Sequence, residues 1–135
     1  MLEILHKGSK ACFIDDTGRD HIIPIFSVGR YLAEGRYVVK VEGLEQEFKH
    51  IIEKLKITEN HSVHCYISPK FAKSFDVHTD PIDVFIYCLE GTKVMSIDEQ
   101  LVYIEPETFV RIPANTPHRA LNIFDSTMLS IGVEK

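Results

Sequence analysis

The sequence predicts an all-β fold with one or two short helices, in which two sheets close into a jelly-roll barrel, or double-stranded β-helix. Short apolar runs separated by turn residues fill the second half of the chain, and only one segment has clear helical periodicity. The length of 135 residues suits one domain. We expect residues 1–135 to form that domain, with N-terminal strands and a covering helix in 1–60 and the barrel core in 61–135.

The first forty residues are predicted to be short extended segments. Residues 11–14 and 21–25 are apolar runs on either side of the turn sequence Asp-Asp-Thr-Gly. Pro24 has no amide donor, so the second run is expected to be an edge strand or a strand end. Residues 36–42 alternate with a period of two, which indicates another strand.

One helix is predicted from an apolar stripe at helical spacing, with acidic residues in its first turn and lysines in its last, as the helix dipole favours. The stripe consists of Leu44, Phe48, Ile51, Ile52 and Leu55. The charged residues are Glu45, Glu47, Lys54 and Lys56. The expected role of this helix is to cover one side of a sheet.

Seven further strands are predicted from residue 62 onwards. They are residues 63–68, 84–89, 93–97, 101–105, 109–112, 119–121 and 127–133. In the second of them, Phe85 and Tyr87 alternate with Val84, Ile86 and Cys88. One set is therefore expected to face the barrel interior and the other a second layer.

The composition disfavours several classes of protein. A formal net charge of -5, from 15 basic and 20 acidic residues, disfavours nucleic acid as the main partner. No window approaches the ~20 apolar residues that span a membrane, and the N-terminus lacks the apolar stretch of a signal peptide. Three cysteines without a Cys-x-x-Cys pair indicate reduced thiols, so we expect a cytoplasmic protein.

The residues that suggest chemistry are His78, Asp80 and His118. A His-x-Asp pair at a strand end directs both side chains to one face, because alternate residues of a strand share a face. Two imidazoles and one carboxylate on one side of an ion are the ligand set of non-haem iron(II) oxygenases. The sequence therefore predicts a divalent-metal site in residues 61–135, with iron(II) preferred and zinc, nickel or manganese as alternatives.

Residues 112–118 resemble the second sequence motif of the cupins, a family of jelly-roll barrels. Asn115 stands where glycine is usual, and asparagine tolerates the same left-handed turn. The first cupin motif normally supplies two histidines and a glutamate. This chain has His78 and Asp80, and Val84 occupies the glutamate position. The resemblance therefore implies a cupin barrel with a ligand set of three residues.

Residues 63–118 also resemble a narrower group within the cupins, the Jumonji-C family. Within that family, they look like a minimal version of the ribosomal-oxygenase branch of the iron(II)/2-oxoglutarate dioxygenases. The resemblance rests on the His-x-Asp pair, an Asp-Val-Phe run and a Glu-Gly-x-Lys turn. It implies that iron is held by the three ligands named above as the catalytic centre. It also implies that Tyr66 and Lys93 bind the far carboxylate of 2-oxoglutarate.

Three polar residues near this site have two interpretations each. Lys93 lies on the more apolar face of its strand, so it either points into the barrel and needs an anion or reaches water from the strand end. His64 shares a strand face with Tyr66 and is either an extra ligand or hydrogen-bond donor of the cofactor site, or uninvolved. Asp83 either orients a ligand histidine or is a solvated rim carboxylate.

These inferences predict an iron(II)- and 2-oxoglutarate-dependent oxygenase that hydroxylates an unidentified substrate, with 2-oxoglutarate as a small-molecule co-substrate. The alternative is a metal-binding cupin without oxygenase activity, either a binder of small molecules or sugars or an isomerase. A homodimer formed through exposed N-terminal edge strands is a further expectation.

Overall fold

The computed structural model describes residues 1–134, which contain ten strands, three short α-helices and one 3-10 turn. The strands are β1 (Lys10–Ile14), β2 (Asp20–Ile23), β3 (Val38–Glu42), β4 (His61–Ser68), β5 (Asp83–Gly91), β6 (Lys93–Ile97), β7 (Gln100–Ile104), β8 (Phe109–Ile112), β9 (His118–Leu121) and β10 (Ser126–Val133). The helices are α1 (Leu2–Leu5), α2 (Val28–Glu34) and α3 (Lys49–Lys54), and the 3-10 turn is Ile25–Ser27.

The strands form two antiparallel sheets in a jelly-roll arrangement, which confirms the predicted all-β class. The larger sheet has the order β2-β1-β3-β4-β10-β5-β8, and the smaller has the order β7-β6-β9. β2 lies at the edge of the large sheet and ends before Pro24, as predicted for residues 21–25. The bounds predicted for residues 93–97 and 109–112 coincide with β6 and β8.

The two faces of β5 belong to different hydrophobic layers. Val84, Ile86 and Cys88 pack inside the barrel with residues of β6, β8 and β10. Phe85 and Tyr87 face the other way and pack with the core under α3. This division follows from the two-residue repeat of a strand, and it leaves the inner face of the large sheet to line a cavity.

The helical content differs from the prediction in two ways. The helix expected over residues 44–55 begins only at Lys49, and residues 45–48 before it form hydrogen-bonded turns, in which the Phe48 amide donates to the Leu44 carbonyl at 3.2 Å and the Lys49 amide to the Gln46 carbonyl at 3.3 Å. Its apolar stripe is still buried against the sheet. The chain also contains α1 and α2, where only extended segments were expected. These helices have four and seven residues, too few for a 3.6-residue period to be recognised.

No helix within residues 1–134 has both the length and the hydropathy needed to cross a bilayer.

Gly91 closes the turn between β5 and β6 in a left-handed conformation, with φ at 71°. A Cβ atom at this position would collide with the backbone carbonyl of Asp125. We expect Gly91→Ala to lower the free energy of unfolding by ~2 kcal/mol or more, because it combines left-handed strain with a backbone clash. Urea denaturation measures the loss.

Gly35 provides the matched control for this substitution. It has a similar φ of 63°, but a Cβ atom there would meet nothing within 4 Å. Gly35→Ala should therefore cost only the strain of ~1 kcal/mol. Equal losses in the two variants would mean that the contact with Asp125 is unimportant.

Candidate metal centre

Two separate segments of the chain bring the candidate metal ligands together. His78 and Asp80 lie in the irregular segment 69–82 between β4 and β5, and His118 is the first residue of β9. The amide of His78 donates to the carbonyl of His118 at 3.1 Å, and the reverse hydrogen bond measures 3.0 Å. The predicted position of His78 at a strand end is therefore wrong, but this isolated two-bond bridge places it directly opposite His118.

The three side chains converge on one point. Asp80 Oδ2 lies 3.2 Å from His118 Nε2 and 3.9 Å from His78 Nε2. One ligand atom from each residue lies within 4.8 Å of the other two. Ligands bound at about 2.1 Å and at right angles stand about 3 Å apart. Small side-chain adjustments would therefore bring all three groups onto one cation.

Backbone carbonyls hold both imidazoles in the orientation that a metal requires. His78 Nδ1 lies 2.9 Å from the carbonyl oxygen of Asp76, and His118 Nδ1 lies 2.8 Å from that of Thr116. Each Nδ1 must carry a proton to donate, so the tautomer of the neutral imidazole that fits these bonds has its lone pair on Nε2, on the side of Asp80. Metal-bound histidines usually have this arrangement. The donor set therefore fits a divalent cation.

Asp83 follows neither interpretation offered by the sequence. Its carboxylate is buried, and it accepts hydrogen bonds from the Arg111 guanidinium at 2.6 Å and the Ala114 amide at 2.9 Å. It thus fastens the start of β5 to β8 and to the turn that precedes His118, while backbone carbonyls orient the ligand histidines.

The turn before His118 has the conformation predicted for it. Asn115 has φ at 64°, in the left-handed region. Its amide donates to the carbonyl of Asp80 at 2.7 Å. This bond ties the turn that precedes one ligand to the backbone of another. The sequence did not indicate that contact, since the two residues lie far apart in the chain.

Lys93 is the largest fully buried side chain in residues 1–134, with 1% exposure. Its ammonium donates to Asn122 Oδ1 at 2.9 Å and to Ser68 Oγ at 3.3 Å. No carboxylate within residues 1–134 pairs with it, and burial lowers its pKa to about 8. The interpretation in which it reaches water is therefore wrong. A buried ammonium with only neutral partners is a favourable place for an anion.

Ser68 and Asn122 are polar residues of the site that the sequence did not single out. Ser68 could have been found, because it shares the inward face of β4 with Tyr66 and His64. Asn122 lies just beyond the end of β9, where no periodicity applies. It also donates to the carbonyl of Ala72 at 2.8 Å, which anchors segment 69–82 beside Lys93.

All six candidate residues line one cavity of about 640 Å³. They are His64, Tyr66, His78, Asp80, Lys93 and His118. Cavities that bind small organic molecules have about this size. Burial raises the pKa of the Tyr66 hydroxyl above its usual value, so this group stays a neutral hydrogen-bond donor.

His64 lines the same cavity. Within residues 1–134, the side chains close enough to share an ion are those of His78, Asp80 and His118, and His64 is not one of them. Its Nε2 lies 3.7 Å from Glu42 Oε1. Burial lowers its pKa, although Glu42 opposes the shift. The imidazole is therefore placed as a hydrogen-bonding group of the cavity wall.

A sequence profile described as the cupin domain matches residues 63–132. A search of curated proteins found no match.

Solved structures resemble the fold at low sequence identity. The Escherichia coli ribosomal oxygenase YcfD, in complex with cobalt and 2-oxoglutarate, is 16% identical with a TM-score of 0.72, covering 99% of this chain and 42% of that chain. Another X-ray structure of E. coli YcfD is 14% identical with a TM-score of 0.76, at 99% and 44% coverage. A conserved protein of unknown function from Streptococcus pyogenes is 15% identical with a TM-score of 0.57, at 73% and 75% coverage. This chain therefore spans less than half of the oxygenase chains.

Proposed function

Because this chain belongs to the cupin domain family, we propose that it uses its barrel as an iron(II)- and 2-oxoglutarate-dependent oxygenase that hydroxylates a substrate still to be identified. The observation that carries the proposal is the shared cavity. One wall has three ligand-type side chains within 4.8 Å of one another, and the floor has the buried ammonium of Lys93. A metal ion and a dicarboxylate would together satisfy both groups.

Each candidate residue has a defined role in this proposal. His78, Asp80 and His118 would hold the ion, and Lys93 with Tyr66 would bind the far carboxylate of 2-oxoglutarate. When bound, iron(II) would supply the redox chemistry by which dioxygen oxidises both substrates, with one oxygen atom going to succinate, formed from 2-oxoglutarate with loss of carbon dioxide, and the other to the hydroxylated C–H bond.

The protein's own groups contribute charge, hydrogen bonds and exclusion of water. Lys93 offers a full positive charge, and the Tyr66 hydroxyl offers a neutral hydrogen bond to the same carboxylate. Val84, Ile86 and Met95 add apolar surface to the lining of the same cavity. Such a lining keeps water from competing for the carboxylate and strengthens its attraction to the ammonium.

The structural neighbours support the proposal at the level of fold. YcfD is a ribosomal oxygenase seen with cobalt and 2-oxoglutarate, and its likeness covers 99% of this chain. Since this chain spans only 42% of that one, we do not extend the proposal to a ribosomal substrate.

The alternative is a metal-binding cupin without oxygenase activity, either a binder of small molecules or sugars or an isomerase. The donor set is compatible with this alternative, because two imidazoles and one carboxylate also bind zinc, nickel or manganese.

The test is turnover of 2-oxoglutarate. We expect the purified protein, given iron(II) and ascorbate, to release succinate slowly from 2-oxoglutarate even without a prime substrate. Nuclear magnetic resonance detects the product, and elemental analysis of the same sample identifies the resident metal. His78→Ala should abolish release, because one ligand is lost.

The control is Asp76→Asn, which changes an exposed carboxylate beside His78 but keeps the backbone carbonyl that orients it. Tight metal binding without succinate from the unmodified protein would favour the binding protein instead. An activity that is indifferent to chelators would favour the isomerase.

Two other expectations are also proposals. Cys12, Cys65 and Cys88 are buried free thiols, which suits a reducing cytoplasm. The outer strand β2 exposes Ile22, which provides a surface for pairing into a homodimer.

A further inference from the structure

The cavity extends beyond the place proposed for 2-oxoglutarate. Ser68, Tyr66, His64 and Ser62 alternate onto one face of β4, and exposure rises along that order from a buried to an exposed side chain. Residues on one face of a strand are spaced by ~6.6 Å. His64 and Ser62 therefore lie roughly 13 and 20 Å from Ser68, which contacts Lys93. The cavity has a polar floor at Lys93 and an open end beyond Tyr66.

Four hydrogen-bond donors line this open end, here called the mouth. They are Lys40 of β3, Ser62 and His64 of β4, and Ser130 of β10. His64 is directly opposite Ser130 across the β4–β10 pair. Within residues 1–134 the hydroxyls of Ser62 and Ser130 make no side-chain hydrogen bond. The mouth thus has unused donors next to a lysine.

Glu42 positions the two basic side chains of the mouth without lining the cavity itself. Its carboxylate lies 3.3 Å from Lys40 Nζ and 3.7 Å from His64 Nε2. Lys40 is only 14% exposed, and its Nζ lies 5.8 Å from the centroid of the Phe75 ring. One carboxylate on the same face of the sheet therefore pairs with two basic groups, and both of these still line the cavity.

The carboxylates that do line the cavity belong to segment 69–82. Asp80 is a candidate metal ligand, and Asp76 is exposed beside Lys73 at 3.3 Å. The wall formed by β3, β4 and β10 therefore lines the cavity with donors, and its acidic residue, Glu42, is not among the lining residues. A cationic ligand would meet a half-buried ammonium there, whereas an anion gains charge-assisted hydrogen bonds.

We infer that the mouth binds an anionic group of the prime substrate, a carboxylate or a phosphate, held by Lys40 and His64 with help from the two serine hydroxyls. The inference rests on the proposed function, because the prime substrate needs its own subsite once 2-oxoglutarate occupies the floor.

The experiment is a titration followed by nuclear magnetic resonance. The protein is loaded with zinc, which blocks turnover, and is saturated with 2-oxoglutarate so that the floor is occupied. The probes are acetate, inorganic phosphate and the neutral acetamide, all at one ionic strength set with sodium chloride. We expect acetate or phosphate to shift the His64 imidazole resonances saturably and acetamide to leave them unchanged. The stronger of the two anions identifies the chemistry of the substrate.

Two variants give opposite results if the inference is correct. Lys40→Met should weaken anion binding about tenfold, since a charge-assisted hydrogen bond is lost. Glu42→Gln should tighten it several-fold, because the competing carboxylate is removed while the donors remain. A merely structural ion pair would make both variants weaker. The control is Arg36→Met, which breaks the exposed Arg36–Asp16 pair away from the cavity and should change nothing.

Three results would overturn the inference. They are equal shifts with acetamide and acetate, weaker binding in both variants, or shifts confined to the His78 and His118 resonances, which would place the anion on the metal. Each leaves the oxygenase proposal standing, because that proposal depends on 2-oxoglutarate binding and succinate release, which are measured separately.

Discussion

Replacing His118 with alanine should lower the affinity for divalent metal at least about 100-fold, since even loss of a group that only supports a ligand costs 10–100-fold. His118 is the most buried of the three candidate ligands. Its Nε2 is also the nearest imidazole nitrogen to Asp80, at 3.2 Å. Without it, two partly exposed side chains remain, and water would have to complete the coordination. Metal content after purification and titrations with zinc, manganese and iron(II) measure the effect.

His6→Ala is the matched control, because His6 is an exposed histidine at the end of α1, outside the cavity. It should leave metal content unchanged. Circular dichroism and the melting temperature must show that the His118 variant is folded, since this residue also begins β9 and its backbone pairs with His78. A folded His118→Ala protein that retained its metal would remove the basis for a site at this triad.

Replacing Lys93 with methionine should have two opposite effects, weaker binding of 2-oxoglutarate and greater stability. Loss of the charge should weaken binding ~30-fold or more, as when one partner of a buried charge pair is truncated. Burial lowers the pKa of Lys93 from the ordinary 10.5 to about 8, a gross cost of roughly 3 kcal/mol near neutral pH. Losing the hydrogen bonds to Ser68 and Asn122 offsets part of that gain. The net increase in the free energy of unfolding should be ~1–2 kcal/mol.

The stability gain should depend on pH in a direction set by this pKa. Below pH 8 Lys93 is charged in both the folded and the unfolded state, so the full burial cost is present. Between about 8 and 10.5 the folded protein releases the proton while the unfolded chain keeps it. The unfolded state then binds more protons, and the stability of the unmodified protein rises with pH. The advantage of the methionine variant should therefore shrink across this range.

Urea denaturation at several pH values and calorimetric titration of 2-oxoglutarate measure the two effects. Lys49→Met is the matched control, because Lys49 is exposed on α3, and it should change neither quantity appreciably. If Lys93→Met destabilised the protein at neutral pH and kept its affinity for 2-oxoglutarate, the lysine would be a structural residue.

The strand pattern of the barrel was predictable because it is local. Side chains of a strand alternate between two faces, so a few residues of sequence define β6 and β8 and divide β5 into an inner and an outer set. Turn conformations were predictable for the same reason, as at Asn115. The short helices α1 and α2 were not, since their few apolar residues do not establish a period.

The sequence by itself determined the all-β class, the inward face of β4 and the three side chains offered to a metal, because each follows from neighbouring residues or a short motif. Only the tertiary structure decided that His78 meets His118 through an isolated bridge and that Lys93 is buried against Ser68 and Asn122. It also decided that Glu42 of β3 pairs with His64 of β4 at the mouth. These contacts join residues far apart in the chain, and their geometry depends on how the two sheets close, which no local pattern encodes.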